Sequence, residues 1–125
     1  MKFLKILSVL VLLVTFQSGY AQLGKIIPKP DLIKTLDDTA DLGFSKDKND
    51  KLIKQNESFV NDLFGIVDSD KSEDDKKSAL QRLKKDNNSK LDDLLGIDGA
   101  NKYRKKMKKT LRPYKRKMKL LKFAL

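Results

Sequence analysis

The 125-residue sequence contains no cysteine, histidine or tryptophan, and only six glycines and three prolines. Without Cys and His it lacks a thiolate nucleophile, an imidazole base, a disulfide framework and the usual ligands of zinc, haem or copper. It also lacks a G-x-S-x-G motif, a phosphate-binding glycine loop and a dinucleotide fingerprint. The sequence therefore predicts a non-enzymatic protein without a cofactor, of one domain at most.

One acidic segment approaches the pattern of a calcium loop. Asp68 and Asp70 begin a D-x-D-x-S spacing that supplies oxygen ligands at positions 1, 3 and 5. The sixth position, normally Gly, is Glu73, and the twelfth, normally Glu, is Ala79. We interpret the segment as the acidic cap of a helix and predict no metal site.

Residues 1–21 have the features of a secretory signal peptide. Lys2 and Lys5 precede an apolar run over residues 6–16, and small residues stand at the cleavage positions that end at Ala21. The run is shorter than the roughly 20 residues that cross a bilayer, although an uncleaved anchor stays an alternative. We expect an exported protein, periplasmic or secreted after cleavage near Ala21.

Apolar residues recur at helical spacing in four segments, and strand patterns are nearly absent. The first predicted helix covers about residues 29–42, with Gly43 just after its end. The second covers about residues 46–67, with Ser45 as its N-cap. The predicted class is therefore all-α.

The third helix is predicted to begin after Ser72 and to stop at Gly96, with a bend or a break at Asn87-Asn88. The fourth covers residues 99–123, with Asp98 as a cap and a kink near Leu111-Arg112 because Pro113 lacks an N–H donor. Its apolar stripe consists of Tyr103, Met107, Leu111, Tyr114, Met118 and Leu121.

Short connections make neighbouring helices antiparallel, so residues 30–125 are predicted to form one helical domain. We expect an up-down bundle or extended helical hairpins, with a long kinked basic helix at the C-terminus. Residues 22–29 are predicted to be a flexible N-terminal arm. The small core suggests that stability depends on a homo-oligomer or a bound partner.

Positive charge is concentrated at the C-terminal end. Residues 102–125 contain twelve basic and no acidic side chains, whereas residues 22–101 contain fourteen basic and seventeen acidic ones. Such a segment attracts anions. The predicted partner-binding residues are Arg104, Lys105, Lys108, Lys109, Arg112, Lys115, Arg116, Lys119 and Lys122.

Three interpretations of this basic segment compete. It is a solvated face that partly balances acidic neighbours such as Asp92; or it binds an anionic membrane surface, lipid or polysaccharide; or it binds nucleic acid. Leu120 and Phe123 lie off the apolar stripe and are candidates for membrane insertion. Nucleic acid is disfavoured, because an exported protein rarely meets DNA and no known nucleic-acid-binding motif is present.

The leader, the basic helical chain and the pattern of Leu94-Leu95-Gly96 followed by residues 102–107 resemble small exported proteins of Bacteroidota-type bacteria, many without an assigned function. Residues 72–112 also resemble the periplasmic chaperone family of spheroplast protein Y, with Leu95-Gly96-Ile97-Asp98 in place of its L-T-x-x-Q signature. That resemblance implies a dimeric cradle that binds unfolded clients through apolar patches ringed by basic residues.

The main hypothesis is a non-enzymatic envelope protein that binds an anionic or partly unfolded partner through its basic C-terminal helix. A chaperone-like holdase and a structural protein without a ligand are the alternatives.

Overall fold

The computed structural model describes residues 23–125, and the predicted signal peptide lies outside these described residues. Between residues 23 and 125 the chain is mostly helical and contains no strand, which confirms the all-α class. The elements are α1 (Leu23–Ile26), α2 (Lys29–Leu36), α3 (Lys46–Val67), α4 (Glu73–Thr110), α5 (Arg112–Lys117) and a 3-10 helix (Lys119–Phe123).

Two helix starts match the predictions because a serine caps each of them. Ser45 Oγ accepts a hydrogen bond from the N–H of Lys48 at 3.3 Å, and Ser72 Oγ accepts one from the N–H of Asp75 at 3.2 Å. Each bond satisfies an N–H group of the first turn that has no partner within the helix. α3 accordingly covers the predicted residues 46–67, and the acidic segment after Ser72 is the first turn of α4.

α4 is folded back on itself at Gly96, whose φ of 74° and ψ of 160° are not helical. Arg104 Nη2 lies 2.8 Å from Asp92 Oδ1, although twelve residues of straight helix would separate the two positions by about 18 Å. Residues 73–95, here the first arm, and residues 97–110, the second arm, are therefore antiparallel. Gly96 acts as the predicted stop.

The two arms differ in detail from the predicted third and fourth helices. Asn87-Asn88 neither breaks nor interrupts the first arm, and Asn87 Oδ1 accepts a hydrogen bond from Gln55 Nε2 of α3 at 3.0 Å. The helix resumes directly after Gly96, so Asp98 lies inside the second arm instead of capping it. Tertiary hydrogen bonding at Asn87 offsets the low helix propensity of asparagine.

α2 is shorter than predicted and ends at Leu36 instead of near residue 42. The polar run that follows makes other hydrogen bonds. The Asp37 carboxylate accepts one from Asn56 Nδ2 at 2.9 Å, and Thr39 Oγ1 donates one to Asn49 Oδ1 at 2.7 Å. Short polar side chains that bond elsewhere favour turns over helix continuation.

The prediction of one continuous C-terminal helix over residues 99–123 is wrong. The chain leaves the helix at Leu111, beside the predicted proline kink, and again at Met118, whose φ of −136° and ψ of 107° are extended. Leu111, Met118 and Leu121 are all buried, so the apolar stripe still faces the core. A continuous helix would also place like charges one turn apart, as at Lys115 and Lys119, which is unfavourable.

The N-terminal residues from 23 onward are packed, in contrast to the predicted flexible arm over 22–29. α1 is a single turn, and Leu23 at its start and Ile27 just after its end are buried in the core. Apolar side chains of α2, α3, both arms and the C-terminal segment complete that core. Burial of Leu23 and Ile27 stabilises a segment whose sequence is too short to form an isolated helix.

Candidate functional site

A cavity of about 390 Å³ lies where α2, α3, the two arms and the C-terminal segment meet; we name it the basic cavity. Its lining combines three kinds of side chain. The apolar members are Leu36, Phe59, Leu91, Met107, Leu111, Ala124 and Leu125, the polar members are Asn56, Asn87, Asn88 and Tyr103, and the basic members are Lys84, Arg104, Lys108, Lys115 and Lys122. No Asp or Glu side chain from the described residues lines it.

The inner wall of the basic cavity is held by a buried polar network. The Tyr103 hydroxyl donates to the Leu36 carbonyl oxygen at 2.7 Å and lies 3.3 Å from Asn56 Oδ1. Burial raises the pKa of Tyr103, so its proton stays on the hydroxyl as a hydrogen-bond donor. The network joins α2, α3 and the second arm, and it fixes the relative positions of the three walls.

Asp37 completes this network at the C-terminal end of α2. Its carboxylate accepts from Asn56 Nδ2, but partial burial raises the pKa of Asp37, with a further contribution from the nearby Glu57. A negative charge at a helix C-terminus is also unfavourable to the helix dipole. The Asp37 carboxylate therefore orients Asn56, although the surroundings of Asp37 disfavour its ionised form.

Basic side chains converge on the outer part of the cavity. Lys108 and Lys122 are exposed, whereas Lys84, Arg104 and Lys115 are half-buried. Burial lowers the pKa of Lys115, and the charges of Lys84, Lys108 and Arg112 lower it further. A shift of that origin indicates that several cations share one small region, where an anion would relieve their repulsion.

Within residues 23–125, Arg104 is the one basic residue of the cavity lining that is paired with a carboxylate. Arg104 contacts Asp92 and also donates to Asn101 Oδ1 at 2.7 Å. Among the residues that the structure describes, none of Lys84, Lys108, Lys115 and Lys122 lies within ion-pair distance of a carboxylate. Four cations at the cavity therefore keep their charge available for an added anion.

The structure divides the nine predicted binding residues into two groups. Arg104, Lys108, Lys115 and Lys122 line the basic cavity. The other five are exposed and lie outside the lining: Lys105, Lys109, Arg112, Arg116 and Lys119. At about 100° per residue the four lining residues fall within an arc of about 40° and the other five within a neighbouring arc of about 80°, so helical phase alone already separates the two groups.

Lys84, Asn87 and Asn88 also line the cavity, although sequence reasoning did not assign them to a site. They lie on the first arm between the buried Leu80 and Leu91, in phase with its apolar stripe. The sequence does contain a sign of this, because polar residues at positions that continue an apolar stripe indicate that the helix faces a cavity there instead of the core.

Some positive charge is balanced within the molecule, as one of the three interpretations proposed. Lys106 Nζ donates to the Asp38 carbonyl oxygen at 2.7 Å and contacts the Asp41 carboxylate. These contacts raise the pKa of Lys106, the hydrogen bond to Asp41 contributing most, and the same bond lowers that of Asp41. Lys106 thus ties the second arm to the turn after α2 and is not available to an external anion.

The candidate insertion residues are not free at the surface. Leu120 and Phe123 are half-buried against the core, and Lys77 Nζ lies 4.9 Å from the centre of the Phe123 ring, in a cation–π contact. Within the described part of the chain, no helix has the length and apolar character needed to cross a membrane.

Comparison with protein-family models, with curated proteins and with solved structures finds no match.

Proposed function

We propose that this protein is a non-enzymatic, exported envelope protein that binds an anionic partner through the basic residues of its C-terminal segment. One observation carries the proposal: the segment has twelve basic and no acidic side chains, and within residues 23–125 the cations at the basic cavity have no carboxylate partner except at Arg104. Unpaired cations attract lipid head groups and other polyanions through a long-range field.

The exposed cations outside the cavity suit an extended anionic surface. Lys105, Lys109, Arg112 and Arg116 are all exposed on the second arm and α5. Each basic residue near an anionic leaflet contributes about 1 kcal/mol of attraction, and added salt screens this contribution. A membrane surface that carries anionic lipid is therefore the partner that we favour over a polysaccharide.

Co-sedimentation with vesicles tests the proposal. The protein should bind vesicles that contain phosphatidylglycerol, should not bind neutral phosphatidylcholine vesicles, and should bind less at physiological than at low salt. A variant with Lys105, Lys109, Arg112 and Arg116 changed to Gln should bind about tenfold or more weakly.

A matched control removes four positive charges elsewhere. Lys34, Lys46, Lys48 and Lys54 are exposed on α2 and α3 and take part in none of the ion pairs of the described residues. Changing these four to Gln should leave vesicle binding nearly unchanged. Equal losses in both variants, or equal binding to neutral vesicles, would contradict a role for the C-terminal segment.

The holdase alternative receives less support from the surface. Within residues 23–125 the exposed large apolar side chains are Ile53, with 43% of its surface accessible to solvent, and Ile97, with 69%. A holdase needs contiguous exposed apolar patches for unfolded clients. Suppression of the aggregation of a model client at several-fold molar excess would revive this alternative.

A further inference from the structure

We propose that the basic cavity binds one apolar chain that ends in an anionic head group, as in a fatty-acid carboxylate or a single-chain phospholipid. The chain would occupy the inner part and the head group would meet the outer cations. This inference rests on the proposed function, because both depend on the positive charge of the C-terminal segment, but it adds the chemical class of the ligand and the place of its chain.

The inner part of the cavity is suited to hydrocarbon. Leu36, Phe59, Leu91 and Met107 contribute apolar surface there, and each is at least nine-tenths buried. The volume of about 390 Å³ falls in the range of about 300 to 1,000 Å³ that is typical of small-molecule sites. A hydrocarbon chain placed against this wall is itself removed from water, which favours binding.

The outer part is suited to a negative charge. Lys108 and Lys122 are exposed at the rim, and Lys84 and Lys115 stand half-buried beside them, without a carboxylate partner among the described residues. Among the residues that the structure describes, no acidic side chain lines the cavity. Charged hydrogen bonds to a carboxylate or phosphate are stronger in such a partly dehydrated site than in open water.

The two parts together select one class of ligand. A small inorganic anion would pair with the lysines but leave the apolar wall unfilled, and an uncharged hydrocarbon would fill the wall but leave the lysines unpaired. A chain with an anionic head satisfies both parts in one orientation, with the hydrocarbon inward and the charge at the rim.

Calorimetry with soluble probes tests the ligand class on the full chain. Dodecanoate, below its micelle concentration, should bind about tenfold or more tightly than uncharged dodecanol, and acetate should show no binding. Changing Lys84 and Lys115 together to Gln should reduce the preference for dodecanoate over dodecanol several-fold, with Lys108 and Lys122 still present. Equal affinity for the two probes in the unchanged protein would overturn the inference.

An occluding variant tests the position of the chain. Asn88 lines the cavity from the first arm, and its main-chain carbonyl oxygen accepts a hydrogen bond from Arg104. Because a substitution of the side chain keeps this carbonyl, Asn88→Phe should block the ligand's chain without removing charge. Dodecanoate binding should fall about tenfold or more, whereas Asn61→Phe at an exposed position of α3 should leave it unchanged. Dodecanoate binding that survives Asn88→Phe in a folded protein would place the chain elsewhere and refute the inference.

The vesicle assay separates this inference from the proposed function. Asn88→Phe should still bind anionic vesicles if the surface lysines act alone, and loss of dodecanoate binding with retained vesicle binding supports both proposals. Vesicle binding without any uptake of dodecanoate would leave the proposed function and remove the inference. Comparing the binding of lysophosphatidylglycerol added free in solution with its binding when it is supplied within vesicles then distinguishes a soluble ligand from one taken from a membrane.

Discussion

At the scale of single residues, Tyr103 links distant parts of the chain. Its side chain is only 3% exposed, and its hydroxyl reaches Leu36, 67 positions earlier in the sequence. A buried carbonyl without a donor would lose its hydrogen bond to water on folding and gain nothing in return. The Tyr103 hydroxyl prevents this loss at the end of α2, next to the basic cavity.

Tyr103→Phe is therefore expected to lower the free energy of unfolding by about 1 to 3 kcal/mol, because it leaves the Leu36 carbonyl unsatisfied. Urea denaturation measures the change. Tyr114→Phe is the matched control, since Tyr114 is half-buried and its hydroxyl has no hydrogen-bond partner among the described residues. That control should change stability by less than about 0.5 kcal/mol, and equal effects of the two substitutions would speak against the role of the Tyr103 bond.

At the scale of elements, one glycine determines that α4 is a hairpin of two arms. Gly96 has φ and ψ values in a region that is almost restricted to glycine. The positive φ reverses the chain without a loop, so the second arm starts at once. The sequence indicated a stop at Gly96 but not this tight reversal, because a glycine after a helix is equally compatible with several turn geometries.

Gly96→Ala is expected to destabilise the protein by about 1 to 3 kcal/mol, because alanine is strained in this conformation. Gly65→Ala is the matched comparison, since Gly65 lies in the helix α3 with open space around an added Cβ. It should stabilise the protein by up to about 1 kcal/mol, as alanine has the higher helix propensity. Chemical denaturation of both variants checks the pair, and a change of the same sign in both would show that backbone conformation at Gly96 is not the cause.

Local signals predicted the elements well where the decisive interactions are local. The serine caps at Ser45 and Ser72 depend on residues within one turn, and both were predictable. The distortion beside Pro113 was predictable in its position, although as a kink and not as the helix end that the structure shows. The end of α2 and the turn at Met118 depend on contacts with distant residues, such as Asn56 and the core around Leu121. The spacing of apolar residues in the sequence does not reveal these contacts between distant residues.

The candidate site was predictable only in part for the same reason. Arg104, Lys108, Lys115 and Lys122 were recognised by the charge of their segment, but Lys84 comes from the first arm. A helical wheel groups residues along one helix and cannot bring two arms together. The cavity exists because Gly96 folds the arms against each other.

At the scale of the whole molecule, stability is unevenly distributed. α3 has six buried residues along its length, whereas α5 has none. α5 is held through its neighbours Leu111, Met118 and Leu121, which are buried on either side of it. Segments with few buried contacts open at lower free energy than the core.

Hydrogen exchange should therefore show that the amides of α5 exchange well before those of α3 under native conditions. Timed labelling of the intact chain, followed by quenching, pepsin digestion and mass spectrometry of the peptides, measures both helices in one experiment, so α3 serves as the internal reference. Addition of dodecanoate should slow exchange in α5 if the ligand contacts Lys115 and Lys122. Exchange of α5 only together with α3 would show that the C-terminal segment unfolds solely with the whole molecule.

The reversal at Gly96 also bears on the order in which the chain assembles. Asp92 and Arg104 are 12 positions apart, whereas the bond from Tyr103 to Leu36 joins positions 67 apart. The entropy lost in closing a loop increases with its length, so the two arms can pair at lower cost than Tyr103 can reach α2. We therefore expect the helical hairpin to form early in folding, and the walls of the basic cavity to be completed only when α2 docks.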